Sequence, residues 1–118
     1  MLEKTLSSRF LTQRELFDEQ KYFKLICGAG NEDLEEVRRL STVYTLAGAT
    51  GLDISATPSV VEACMEGIDR AYDISIELEK EIKIRPFIMV SVGMPGDHHV
   101  RKSYIDPDLC IKLSLIHI

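Results

Sequence analysis

The residues best suited to chemistry lie in one polar segment, Asp97-His98-His99, which closely follows an apolar run. Histidine nitrogens and carboxylate oxygens are common ligands of divalent metals, so the segment is a candidate metal site. Neighbouring residues point in opposite directions in an extended chain, which makes it difficult for both histidines to bind one ion. The alternative interpretation is a solvated loop.

The chain contains three cysteines, Cys27, Cys64 and Cys110. An odd number at wide spacing is typical of reduced thiols rather than of a disulfide framework. Cys27 ends an apolar run just before a predicted helix start, a position that can lower the pKa of a thiol. The alternative is a cysteine that packs as a small apolar side chain. Cys64 lies on an apolar helical stripe and is expected to pack in that way.

The turn Gly28-Ala29-Gly30-Asn31 could present backbone N–H groups to a phosphate or a carboxylate. It is not a dinucleotide fingerprint, because Asp33 stands where the third glycine is needed. Acidic residues at 32, 33, 35 and 36 would also repel an anion. A tight strand-to-helix turn, with Asn31 as the helix N-cap, is the alternative.

The elements that must position these residues alternate along the chain. Short apolar runs at 23–27, 52–55 and 86–92 predict strands, and helical periodicity predicts helices from 34 to 47 and from 58 onward. Residues 1–22 are predicted to form a helical lead-in with a short helix from about 13 to 20. The charged run 77–83 is interpreted as a solvated helix face. Short connections between the elements favour right-handed crossovers. The predicted fold is α/β, a three-stranded parallel βαβαβ unit with an N-terminal helical segment.

In a parallel sheet, ligands bind at the carboxyl ends of the strands. The polar residues at those ends therefore form a candidate ligand-binding rim, and Asp53 within it could act as an acid, a base or a ligand, or could cap a turn. The rim comprises Cys27, Gly28, Gly30, Asn31, Asp53, Ser91, Asp97 and His98.

Composition excludes several classes of protein. At 118 residues the chain fits one small domain. Its formal net charge of -5 and its lack of a Lys/Arg cluster argue against a nucleic-acid partner. No apolar run approaches the roughly 20 residues that a membrane-spanning helix needs, and the N-terminus has no signal-peptide pattern. We therefore expect a cytoplasmic protein without a membrane span.

Three segments, at 23–33, 53–56 and 90–93, together resemble a family of iron–sulfur proteins related to the cyanobacterial light-dependent period protein. The resemblance covers residues 21–112. It implies an incomplete TIM-barrel-like domain joined to a ferredoxin-type region with two four-iron clusters. On this basis residues 23–105 are the partial barrel domain, and residues 106–112 begin the ferredoxin-type region.

The same resemblance assigns a role to Cys110. In the family, Cys-x-x-Cys-x-x-Cys would start at this residue, but Leu113 stands where the second cysteine belongs. A cubane cluster needs four thiolates. We therefore expect a 4Fe-4S cluster in the full-length parent, with Cys110 as its first ligand, and none in the sequence as written. Residues 113–118 are expected to be a non-native tail resembling a translated sequencing adapter; a natural terminal strand is the alternative.

Three functions remain open from the sequence. The leading hypothesis is the N-terminal scaffold of an iron–sulfur redox or electron-transfer protein with an unidentified redox partner. The second is a TIM-barrel-type enzyme acting on a small anionic substrate through Asp53, Ser91 and the Asp97–His98 loop. The third is a scaffold that only docks a partner. An incomplete parallel sheet also leaves an unpaired edge, so self-association of the chain is expected.

Overall fold

The structure is a computed structural model that describes residues 2–92 and 106–109, with the side chains of residues 2–7 left aside. Strands and helices alternate after a first helix, as the sequence predicts. The elements are α1 (Leu2–Asp18), β1 (Lys24–Gly28), α2 (Leu34–Leu46), β2 (Gly51–Ser55), α3 (Pro58–Glu77) and β3 (Phe87–Ser91). No helix in this part of the chain has the length and apolar character needed to cross a bilayer.

The three strands form one parallel sheet in the order β1-β2-β3. The prediction of a three-stranded parallel α/β unit is confirmed. Asp53 pairs with Ile26 on one side and with Met89 on the other, so these three side chains share one face of the sheet. Completion into a TIM-type barrel and self-association through the edges of β1 or β3 stay predictions.

Helices α2 and α3 cover one face of the sheet. Leu52 and Ile54 of β2 are fully buried against apolar side chains from both helices. The helices approach each other closely at Gly67, where the Thr42 hydroxyl donates a hydrogen bond to the Gly67 carbonyl at 2.9 Å. We call the opposite side of the sheet the open face, because Ile26 is 61% exposed there.

The first helical turn of α2 differs from the prediction. The N-cap is Asp33 rather than Asn31, and the Asp33 carboxylate accepts a hydrogen bond from the Glu36 N–H at 3.1 Å. Asn31 instead closes the preceding turn: its side chain donates to the Cys27 carbonyl and accepts from the Asp33 N–H. Both residues are good caps, and the turn after β1 needs two more residues before the helix begins.

Two further helix boundaries were predicted wrongly. Helix α1 spans 17 residues instead of about eight. Thr12 is not its N-cap but lies inside the helix, where its hydroxyl donates to the Ser8 carbonyl at 3.0 Å. Helix α3 ends at Glu77, so the run 77–83 is not a helix face. Glu79 has a φ of 52° and the Lys80 N–H donates to the Ser75 carbonyl, a left-handed helix ending.

Candidate functional site

A polar cluster occupies the open face of the sheet, with one residue from each strand. Lys24 Nζ lies 3.3 Å from Asp53 Oδ2, and the Ser91 hydroxyl donates a short hydrogen bond of 2.5 Å to Asp53 Oδ1. The Asp53 side chain is only 10% exposed and that of Lys24 is 33% exposed. We call Lys24, Asp53 and Ser91 the open-face cluster. A carboxylate this buried needs such partners, because an uncompensated charge is costly away from water.

Apolar side chains flank the open-face cluster. Ile26 and Met89 are the register partners of Asp53 on the two edge strands, and Met89 is 39% exposed. Met89 Sδ lies 3.7 Å from Lys24 Nζ. The open face therefore presents a charged centre between two apolar side chains.

Aromatic and cationic side chains close the amino end of the open face. Tyr22 stacks on Phe17 with ring centroids 4.3 Å apart, and its hydroxyl lies 2.2 Å from the position that a Cβ on Gly51 would take. Arg9 of α1 stacks 3.8 Å above the Phe87 ring and donates hydrogen bonds to two backbone carbonyls just before β3. Because this end is filled, a ligand would reach the open-face cluster from the carboxyl ends of the strands.

A hydrogen-bond chain links the loops at the carboxyl ends of β1 and β2. The Thr57 hydroxyl donates to Glu32 Oε1 at 2.8 Å and lies 3.3 Å from the Ser55 hydroxyl. Thr57 is the N-cap of α3, but its side chain makes no capping bond there. The loops after β1 and β2 are therefore tied to each other.

Cys27 and Cys64 lie in the core on the opposite side of the sheet. Both are buried, at 6% and 0% exposure. Burial raises the pKa of Cys27 to about 11, and the neighbouring Cys64 acts in the same direction, while contact with the Ser41 hydroxyl acts against them. Burial likewise raises the pKa of Cys64. The direction is opposite to that expected from a helix start, so both thiols stay protonated near neutral pH.

The structure brings together only part of the predicted rim. Asp53 and Ser91 are in direct contact. Gly28 ends β1, Gly30 and Asn31 lie in the turn after it, and Cys27 points into the core. Sequence reasoning missed Lys24. Its signal was available, because a charged residue inside the apolar run 23–27 must point away from the buried face. The predicted site residues Asp97, His98 and Cys110 lie outside the described residues.

The described residues do not fit an iron–sulfur cluster. No group of three or more His, Cys, Asp or Glu side chains within 2–92 and 106–109 is arranged to hold a metal ion. A four-iron cluster takes four thiolates, whereas the described residues contain two cysteines, both of them buried. Ligands for a cluster would therefore have to come from elsewhere.

Comparison with known proteins gives one relative. No family model and no solved structure matches the chain. The chain is similar to Light dependent period A of Synechococcus elongatus, with 39% identity over 89 residues that cover 75% of this chain and 24% of that protein. The chain thus spans about a quarter of the length of the relative it matches. At this level of identity, the chain is related to Light dependent period A.

Proposed function

We propose that the chain is the N-terminal scaffold of an iron–sulfur redox or electron-transfer protein. The observation that carries the proposal is the relation to Light dependent period A, whose name connects that protein with a light-dependent period. The family resemblance supplies the iron–sulfur part. In this role the parallel sheet is a folded platform, and the cluster is bound outside the described residues.

Cys110 would be the first thiolate ligand of that cluster in the full-length parent. The two cysteines of the core are buried, at 6% and 0% exposure, which supports placing the cluster ligands outside the described residues. When bound, a 4Fe-4S cluster supplies one-electron redox chemistry. The contribution of the described residues is to fold the platform and to keep Cys27 and Cys64 out of reach of iron.

The test uses the full-length gene product purified without oxygen. We expect a brown protein containing iron and acid-labile sulfide, and we expect Cys110→Ser to lower the iron content. Cys64→Ala is the matched control, because it removes a cysteine from the core without touching a proposed ligand. A colourless, iron-free protein, or equal iron in the wild type and Cys110→Ser, would refute the proposal.

A second candidate function is the binding of a small anionic ligand on the open face, as in a TIM-barrel-type enzyme. The observation that favours it is the open-face cluster, in which the partly exposed ammonium of Lys24 stands beside a buried carboxylate. Helix α3 also begins at the carboxyl end of β2 with no acidic residue in its first turn, and helix N-termini favour anions, whereas the acidic first turn of α2 does not.

This second candidate predicts that a simple carboxylate such as 4-methylpentanoate raises the thermal unfolding midpoint, Tm, of the 118-residue chain. Lys24→Gln should abolish the rise, because it removes the ammonium that binds the ligand carboxylate. Glu62→Gln, on the exposed side of α3, is the control and should keep it. A scaffold that only docks a partner predicts no rise in any variant.

A further inference from the structure

The Lys24 ammonium has hydrogen-bonding capacity that the described residues do not use. It carries three N–H donors. Its polar contacts in the described part of the chain are Asp53 Oδ2 at 3.3 Å and Met89 Sδ at 3.7 Å, and a thioether is a weak acceptor. With a third of the side chain exposed, the remaining capacity suits a negatively charged oxygen.

Asp53 and Ser91 have unused hydrogen-bond acceptors, whereas Lys24 has unused donors. An ionised carboxylate accepts about four hydrogen bonds, and Lys24 and Ser91 supply two of them. Because the Ser91 hydroxyl donates its hydrogen to Asp53, its oxygen is left as an acceptor. These acceptors suit a ligand that carries several N–H donors and a positive charge.

The unused donors of Lys24 and the unused acceptors of Asp53 and Ser91 lie side by side on the sheet. Lys24, Asp53 and Ser91 belong to three successive strands, and neighbouring strands are about 4.8 Å apart. A matching ligand must therefore carry a negative and a positive group close to each other. A ligand with no net charge also leaves the balance of the Lys24–Asp53 pair unchanged, which avoids placing an extra uncompensated charge beside a buried carboxylate.

The neighbours of the open-face cluster define the rest of the ligand. Ile26 is 61% exposed and Met89 is 39% exposed, and both lie in register with Asp53. An aliphatic group placed over either side chain would remove apolar surface from water, which is favourable in proportion to the area covered. The flanks of the site therefore favour an aliphatic side chain on the ligand.

We propose that the open-face cluster binds a small zwitterionic amino acid with an aliphatic side chain. The ligand carboxylate binds Lys24, its ammonium binds Asp53 and Ser91, and its side chain lies over Ile26 or Met89. This inference rests on the second candidate function, which assigns a small ligand to the same face but requires only an anionic group.

The experiment measures the Tm of the 118-residue chain with three matched compounds: leucine, 4-methylpentanoate, which lacks the amine, and 3-methylbutylamine, which lacks the carboxylate. At about ten times its dissociation constant, leucine should raise the Tm by roughly 6 °C. Each analogue should bind roughly 10- to 100-fold more weakly, because it loses one charged hydrogen-bonded contact. This comparison needs no variant to fold.

Variants then locate the site. Lys24→Gln and Ser91→Ala should weaken leucine binding, whereas Lys83→Gln, at an exposed lysine in the connection between α3 and β3 and outside the open-face cluster, should not. Binding of 4-methylpentanoate as tight as that of leucine, lost in Lys24→Gln, would overturn the amino-acid assignment and leave the anion site standing. No Tm rise with any of the three compounds, or a leucine effect unchanged in Lys24→Gln, would remove both.

Discussion

Replacement of Gly67 by alanine tests the packing that holds α2 against α3. A Cβ at this position would lie 2.4 Å from the Arg38 carbonyl oxygen and 2.8 Å from Ser41 Cβ. Neither atom can rotate away, so the helices must separate, and overpacking of this kind costs about 1–3 kcal/mol. Separation also weakens the bond from Thr42 to the Gly67 carbonyl, worth about 1 kcal/mol.

Alanine returns some stability, because it favours a helix over glycine by about 1 kcal/mol. The balance is a loss of about 1–3 kcal/mol in the free energy of unfolding. Urea titration followed by far-UV circular dichroism measures this loss, and the Tm should fall by roughly 4 °C for each kcal/mol in a chain of this size. Glu62→Ala, at an exposed position of the same helix, controls for helix propensity and should change stability little. A Gly67→Ala chain more stable than the wild type would refute the reasoning, because the gain in helix propensity would then outweigh the cost of overpacking.

Three other perturbations follow from described contacts. Tyr22→Phe should leave the free energy of unfolding unchanged or raise it by up to about 1 kcal/mol, because the hydroxyl above Gly51 is buried without a hydrogen-bond partner among the described residues; a clear loss in urea titration would contradict this. Burial raises the pKa of Cys27 from 9.0 to about 11, so the thiol loses its proton at a lower pH in the unfolded chain than in the folded one. The free energy of unfolding should therefore fall as the pH rises from about 9 to about 11, and this thiol should have no effect on it at lower pH. The urea midpoint should decline less steeply across that window in Cys27→Ala, and parallel profiles for the two chains would argue against a buried thiol. Arg9→Lys should speed amide hydrogen exchange in α1, because an ammonium cannot reproduce the planar fork that binds two carbonyls and stacks on Phe87; unchanged exchange would show that this contact does not hold the helix.

The strands of this chain were predictable because each is an apolar run bounded by turn residues. The parallel arrangement followed from the short connections, and in the structure Asp53 and Ser91, two residues of the predicted rim, are in contact. The contact is a consequence of register, since residues on neighbouring parallel strands that share a face lie within reach of each other.

Side-chain direction was the information that the prediction did not use. Alternation along β1 sends Lys24 and Ile26 to one face and Leu25 and Cys27 to the other, so the first strand divides its residues between the site and the core. The sequence analysis assigned every residue at the strand ends to the rim, including Cys27, whose side chain lies in the core. The helix boundaries failed for another reason: Thr12 and Asn31 both have side chains that cap helices or close turns equally well, and only the surrounding chain decides between these uses.

The bond between Thr57 and Glu32 gives the carboxyl end of the sheet a mechanical property. A hydrogen bond contributes about 1 kcal/mol, so this one favours a single relative position of the α3 N-terminus and the loop after β1. A molecule that displaces one of the two loops would have to break this bond or move the other loop, although the two residues are 25 positions apart in the sequence. Residue 57 is therefore a position where a substitution would uncouple the two loops.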